Sequence, residues 1–277
     1  MTTAPALYPP IQKDAAVHRK AALFGGVYNN HLALETACRM AADRGCDALW
    51  QMGDLGGFGP NPDKVFPILR KYGVRCIQGN YEESLVARAS DCGCGYTHPK
   101  DNHYAALSYD YTDQHISDEN RAWLATLPKQ AQVRVGGLTL HLCHGSPRRI
   151  NEFLWETTTS DGFIASLARD LKFNVLCCTH SGLPWSRAVA PGVWALNVGV
   201  LGRPANDGTQ NVWYAEVSET SGRPKIELVK VDYDWQALAA EMAEEKLPQE
   251  FIDTITTGWW TTCLEILPGK ERARGRF

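Results

Sequence analysis

The feature that most constrains the fold is a short apolar run that ends abruptly in a carboxylate. Ala48 to Met52 has the length of a buried strand, and Gly53 and Asp54 follow it directly. The next residues, Leu55 to Pro62, are too rich in glycine and proline to form a regular element. In α/β proteins, ligands bind beyond the carboxyl ends of the strands. Asp54 is therefore a candidate functional residue, although a role in a turn or as a helix cap explains it equally well.

Composition indicates an ordinary soluble globular protein. The chain has 277 residues, of which 44% are hydrophobic and 21% charged, and its net charge of -3 gives no sign of a nucleic-acid or membrane surface. Nine cysteines occur without an N-terminal apolar signal segment, so we expect reduced thiols and a cytoplasmic protein. We predict a polar lead over 1–20, one main domain over 21–232, and a helical extension over 233–277 packed on the same domain.

The first third of the chain predicts a β-α-β-α-β order. Such an order places parallel strands in one sheet. The predicted strands are Ala21–Phe24, Ala48–Met52 and Val74–Gln78, and the predicted helices are Leu32–Asp43 and Lys64–Tyr72.

The rest of the chain predicts a hairpin, another helix–strand pair and then short strands. Gly136-Gly137 lies between two apolar runs, as in a hairpin, and Ser117 is a predicted helix N-cap. Of the other predicted helices, one starts at Tyr104 and two cover Asp161–Leu171 and Trp235–Glu245. The other predicted strands are Gln132–Val135, Leu138–Cys143, Val175–Cys178, Ala188–Ala190, Val193–Asn197, Val212–Val217 and Ile226–Val231.

Four of the predicted strand ends carry a side chain that can bind a metal. These side chains are Asp54, Asn80, His144 and His180. Each of them alone is more readily explained as a turn residue or as a histidine with a structural role. Together at strand ends they form a set of oxygen and nitrogen donors suited to Mn, Fe or Zn.

The order and spacing of these blocks resemble the calcineurin-like metallophosphoesterases, within them the small bacterial phosphodiesterase branch. Gly53 to Pro60 resembles the family's GDxxGYGP block, His144 to Pro147 its HGSP block, and Asn197 to Gly202 its NPGSVG block. The resemblance covers about Ala21 to Val217. It implies an α/β fold, a four-layer αββα sandwich of two mixed β-sheets flanked by helices, and two metal ions that clamp a phosphate.

The chain departs from the family at several site positions. Gly26 and Tyr28 stand where the family has Asp-x-His, Tyr81 replaces a histidine that assists the leaving group, and Cys178 replaces another histidine. One implied metal set survives as Asp54, Asn80, His144 and Cys178, with a thiolate in place of an imidazole. The other set retains only Asp54 and His180. We therefore expect one divalent transition metal, Mn, Fe or Zn, with the second site incomplete.

Three functions fit this altered site. The first is phosphoester hydrolysis at one metal, with catalytic Asp54 and with Tyr81 as a proton donor weaker than imidazolium. The second is a non-catalytic binding or scaffold protein that uses the same cleft. The third is different metal chemistry on this fold, because a fold alone does not determine function.

Other residues are candidates for contacts with the ligand. Tyr28, Asn30 and Arg148 follow strand ends and are predicted to bind phosphate. Cys92 and Cys94 lie in a glycine-rich loop near the expected cleft, where loop packing competes with a ligand role. We expect a small phosphorylated substrate or ligand as the partner, and Trp259-Trp260 leaves a homo-oligomer open.

Overall fold

Two β-sheets form the centre of the computed structural model, which describes residues 8–273. The strands are β1 Ile11–His18, β2 Lys20–Phe24, β3 Ala48–Gln51, β4 Arg75–Cys76, β5 Gln130–Val135, β6 Leu138–Cys143, β7 Val175–Cys178, β8 Trp185–Ala190, β9 Val193–Asn197, β10 Val212–Thr220 and β11 Arg223–Val231. One sheet has the order β1-β5-β6-β7-β9-β8 and the other β11-β10-β2-β3-β4. Both sheets are mixed: β7 runs parallel to β6 and β9, whereas β10 runs antiparallel to β2 and β11.

Helices cover the outer faces of both sheets. They are α1 His31–Asp43, α2 Val65–Tyr72, α3 Asn80–Ala87, α4 Pro99–His115, α5 Asp118–Leu124, α6 Asp161–Leu171, α7 Trp235–Glu244, α8 Gln249–Thr257 and α9 Gly269–Ala273, with a 3₁₀ turn at Pro62–Lys64. Leu23 and Leu140 belong to the core between the sheets, whereas Phe24 packs with α1. This alternation follows from the two-residue period of strands. The predicted four-layer α/β sandwich is confirmed.

Several elements have the predicted limits. α6, β7 and β9 begin and end at the predicted residues. The Gly136-Gly137 hairpin joins β5 to β6, and Gly136 has the positive φ of 58° that such a turn requires. The Oγ of Ser117 accepts a hydrogen bond from the backbone N–H of Asn120, which confirms the predicted N-cap of α5.

Other elements differ from the sequence predictions. β1 lies within the lead to which no structure was assigned, because this edge strand is polar and largely exposed. β4 is only Arg75–Cys76, since the backbone N–H of Gln78 binds the carbonyl oxygen of Pro128 outside the sheet. α4 starts at Pro99 rather than Tyr104, because proline is favoured in the first turn of a helix.

The helices near the end of the chain pack on the same core as α1. Leu238 and Met242 of α7 and Phe251 and Ile255 of α8 are buried there. Across residues 8–273, no helix has both the length and the apolar character needed to cross a membrane.

Candidate metal centre

Three buried side chains that can bind a metal converge between the two sheets at the strand ends. Asp54, His144 and His180 each offer one ligand atom, and these atoms all lie within 4.8 Å of one another. The His144 Nε2 is 3.2 Å from the Asp54 Oδ2 and 3.0 Å from the His180 Nδ1. Asp54, His144 and His180 are named the metal group below.

The backbone around Asp54 holds one carboxylate oxygen in place and leaves the other for the metal group. Asp54 has a positive φ of 62°, which is uncommon for a residue other than glycine. Its carbonyl oxygen accepts hydrogen bonds from the N–H groups of Val27 and Tyr28. Its Oδ1 accepts a hydrogen bond of 3.1 Å from the N–H of Tyr81, so the Oδ2 alone faces His144.

Hydrogen bonds to carbonyl groups determine which nitrogen of each imidazole carries hydrogen. The His144 Nδ1 is 2.8 Å from the carbonyl oxygen of Met52, and the His180 Nε2 is 3.2 Å from that of Cys94. A carbonyl oxygen only accepts, so these two nitrogens are the N–H donors. The remaining nitrogens, His144 Nε2 and His180 Nδ1, face each other with their lone pairs. Two lone pairs at 3.0 Å need a cation or a proton between them, and carbonyl groups that orient histidines are usual around bound metals.

The charges in the metal group shift its pKa values in different directions. Burial favours neutral His144, but the nearby Asp54 carboxylate raises the pKa of His144 above its ordinary value. Burial likewise favours neutral Asp54, but the charge on His144 holds the pKa of Asp54 below its usual value. Burial and the charge on His144 lower the pKa of His180 to about 3. Asp54 thus favours the protonated form of His144, and a metal ion would compete with that proton.

Glu82 supports the Asp54 loop from behind, and sequence analysis assigned it no role. Its side chain is fully buried and accepts hydrogen bonds from the backbone N–H groups of Asp54, Leu55 and Gly79, at 2.8, 2.8 and 2.6 Å. Its bond to the N–H of Gly79, the N-cap residue of α3, is the glutamate half of a capping box. The spacing of a glutamate three residues after a helix N-cap is the sequence signal that would have identified it.

Asn80 provides an unpaired oxygen beside the metal group. Its Nδ2 donates to the carbonyl oxygen of Cys92 and lies 3.3 Å from the Cys94 sulfur. Its Oδ1 is buried and has no hydrogen-bond partner among the described residues. A disulfide joins Cys92 to Cys94, which corrects the expectation of reduced thiols for these two residues, whereas the other seven cysteines are free as expected. Because the Cys94 carbonyl oxygen contacts His180, this loop links Asn80 to the metal group.

The structure does not bring the predicted ligand Cys178 to the metal group. Its side chain is buried among residues of α6 on the outer face of the sheet, and its sulfur contacts the Leu196 carbonyl oxygen at 3.6 Å. Burial raises the pKa of Cys178 to about 12, which favours the neutral thiol rather than a thiolate ligand. Strand alternation explains this position, since Cys177 takes the face toward the other sheet.

The predicted phosphate-binding residues lie in three different environments. Tyr28 lines the cavity beside the metal group. Asn30 instead caps α1: its Oδ1 accepts from the N–H of Ala33, and its Nδ2 donates to the Leu201 carbonyl oxygen. Arg148 forms an ion pair with Glu152, stacks on a phenylalanine ring, and is not part of the cavity lining.

The cavity beside the metal group opens partly to solvent, and its empty space, including that open part, is about 480 Å³. Asp54, His180, Tyr81 and Cys94 are among its lining residues. The Tyr81 hydroxyl lies 2.9 Å from the Ser108 Oγ, and burial raises the pKa of Tyr81.

Comparisons with known proteins agree with the fold. An uncharacterized protein of Methanocaldococcus jannaschii is 24% identical over 244 residues, which are 82% of this chain and 93% of that protein. A metallophosphoesterase from Sphaerobacter thermophilus has a TM-score of 0.64 at 22% identity, covering 87% of this chain and 99% of that one. A hypothetical protein from Pyrococcus horikoshii OT3 has a TM-score of 0.70 at 20% identity, covering 89% and 100%.

These similarities show the fold alone. A family model, by contrast, shows to which superfamily the chain belongs. The model for the calcineurin-like phosphoesterase superfamily domain matches residues 17–220, well over half of the sequence. The matched region contains the whole metal group and Asn80. The chain therefore belongs to the calcineurin-like phosphoesterase superfamily.

Proposed function

We propose that this protein is a phosphoesterase that hydrolyses small phosphorylated substrates with one divalent transition metal. The observation that carries the proposal is the convergence of His144 Nε2 and His180 Nδ1 on the Asp54 carboxylate, each imidazole being oriented by a carbonyl group. Such a set of two nitrogens and one oxygen fits Mn, Fe or Zn. The unpaired Asn80 Oδ1 is the fourth donor in this proposal.

The space around Gly26 supports a single metal. Gly26 and Tyr28 replace the aspartate and histidine with which the family binds a further ion. A Cβ atom added at Gly26 would lie 2.5 Å from the ring of Tyr28. The tyrosine ring therefore fills the space that a side chain at position 26 would need, and the second site keeps only Asp54 and His180 of its expected donors.

The chain's own residues orient the reacting groups. A bound metal ion supplies polarisation of a phosphoryl oxygen and a lowered pKa for water. The carbonyl groups of Met52 and Cys94 fix both imidazoles, and Glu82 fixes the Asp54 loop. Tyr81 lines the cavity and keeps its proton at neutral pH, because burial raises its pKa. It is the proposed donor of a proton to the leaving oxygen.

The test combines metal analysis with hydrolysis. Protein produced in medium supplemented with Mn, Fe or Zn is analysed for metal and assayed on a panel of phosphomonoesters and phosphodiesters. We expect close to one metal per chain and slow hydrolysis in the parent protein. Asp54→Asn should lose both, because a neutral amide neither balances the metal charge nor replaces the carboxylate. Tyr81→Phe should keep the metal and lose about 10²–10⁴-fold in rate.

Asp101→Asn is the matched control, because Asp101 is also a buried aspartate but does not belong to the metal group. It should retain metal and activity. A folded parent protein without metal would contradict the proposal. A metal-loaded parent that hydrolyses no substrate on the panel would favour the binding protein or different metal chemistry.

A further inference from the structure

Arg203 lies in the wall of the cavity beside the metal group, on the loop that follows β9. It is only 7% exposed. Its guanidinium carbon lies 3.5 Å from the centroid of the Trp260 ring and 5.9 Å from that of Tyr28. The Trp260 indole N–H donates a 2.6 Å hydrogen bond to the carbonyl oxygen of Pro204, so the aromatic ring is fixed beside the arginine.

The charge of Arg203 has no anionic partner within residues 8–273. Its Nε is buried without a hydrogen-bond acceptor, and its guanidinium makes no ion pair in the described part of the chain. Arg121 is equally buried and its Nε also lacks an acceptor, so the contrast lies in the terminal nitrogens. The Arg121 guanidinium binds the Asp113 carboxylate and the carbonyl oxygens of Asp113 and Leu85, all at 2.7 Å. Arg121 has the surroundings of a structural arginine, and Arg203 does not.

A buried cation without a counter-charge is unfavourable. Stacking on Trp260 offsets part of this cost through a cation–π contact. An anion in the cavity would offset the rest. The planar guanidinium matches the oxygens of a phosphate group, to which it can donate two parallel hydrogen bonds.

Aromatic rings make up much of the remaining cavity wall. Six of the lining residues are Tyr28, Phe58, Tyr81, Tyr96, Tyr104 and Phe251. The Phe58 and Phe251 rings are 4.6 Å apart, so they form a continuous apolar surface. Such a wall favours an aromatic group, which can stack offset or edge-to-face against these rings, over an acyclic polyol.

We propose that Arg203 binds the phosphate group of the ligand and that the aromatic wall accepts an aromatic group of the same molecule. The inference rests on the proposed function in assigning a phosphoester to this cavity. It adds the residue that anchors the phosphate and the chemical class of the ester. It also transfers to Arg203 the role that the sequence had suggested for Arg148.

Titration calorimetry of the full-length protein as purified, with its metal content measured, tests this inference. The probes are inorganic phosphate, phenyl phosphate and glycerol 3-phosphate. We expect Arg203→Met to weaken the binding of inorganic phosphate at least tenfold, and Arg203→Lys to weaken it less. The matched control is Arg148→Met, which should bind phosphate like the parent because Arg148 lies outside the cavity. Phenyl phosphate should bind the parent several-fold more tightly than glycerol 3-phosphate.

Thermal unfolding separates a binding role from a structural one. Arg203→Met should unfold at or above the temperature of the parent, since it removes an unpaired buried charge. Arg121→Met should unfold at a lower temperature. The inference is overturned if Arg203→Met binds phosphate like the parent. It is equally overturned if Arg203→Met fails to fold while Arg203→Lys binds like the parent, or if glycerol 3-phosphate binds as tightly as phenyl phosphate. Metal content and hydrolysis in the parent protein would still support the proposed function in any of these cases.

Discussion

Replacing Glu82 by glutamine tests whether the buried carboxylate holds the Asp54 loop in place. The Glu82 Oε2 accepts from the N–H groups of Asp54 and Gly79, and its Oε1 accepts from that of Leu55. Glutamine has one carbonyl oxygen and one NH₂ group. In its best orientation the oxygen keeps two of these bonds, and the NH₂ group faces the third N–H as a second donor.

The size of the effect follows from the three bonds. A hydrogen bond to a charged group contributes about 1.5–3 kcal/mol and one to a neutral group about 0.5–1.5 kcal/mol. Losing one bond and weakening two therefore lowers the free energy of unfolding by about 3–5 kcal/mol. Relief of the repulsion between Glu82 and Asp54, which together with burial raises the pKa of Glu82, offsets part of this loss. We expect a net loss of about 3 kcal/mol, or about 6–12 °C in Tm.

Urea and thermal unfolding measure the loss of stability, and elemental analysis measures the metal. Glu82→Gln should also lower metal affinity about 10–100-fold, as expected for a residue that orients a ligand. The control is Glu83→Gln on the same helix, because Glu83 is exposed and forms a surface ion pair with Lys129. That variant should stay within about 0.5 kcal/mol of the parent. Equal stability and metal content in both variants would refute the role assigned to Glu82.

Two further predictions concern other buried side chains. Cys178→Ser and Cys177→Ser should both retain the metal by elemental analysis, because neither thiol belongs to the metal group. Metal loss in Cys178→Ser alone would show that Cys178 is a ligand after all. Burial lowers the pKa of His141 to about 4, so below the unfolded pKa near 6.5 the unfolded chain gains a proton that the folded protein does not take up, and stability falls until the pH passes the folded pKa. The parent should lose about 3 kcal/mol between pH 7 and pH 4 through His141. Urea unfolding at pH 7 and pH 4 measures the free energy of unfolding of the parent and of His141→Gln, and this part of the loss should be missing in the variant. An equal loss in both proteins would contradict the prediction.

Short-range sequence patterns predicted the strands, helix ends and strand-end residues that depend mainly on neighbouring residues. Apolar runs of strand length gave β7 and β9 their limits, and Ser117 gave the N-cap of α5. Asp54, His144 and His180 were predictable because each directly follows or closely follows a strand. The carboxyl ends of parallel strands meet at one edge of a sheet, so such residues come together in space.

Other features depend on contacts that local patterns do not encode. β1 is polar because it is an exposed edge strand, so it lacks the apolar alternation that reveals a strand. Cys178 was assigned by its place in a motif, but the two-residue alternation of β7 directs it away from the metal group. Arg203 acquires its role only through Trp260, which follows it by more than fifty residues.

The stacking of Trp260 on Arg203 divides the site between two parts of the chain. The metal group lies within residues 17–220, the region shared with the superfamily, whereas Phe251 and Trp260 come after it. Changes in the later segment can therefore reshape the ligand wall while the metal donors stay in place. Exchange of this segment between relatives would give a set of proteins with one chemistry and different ligand preferences.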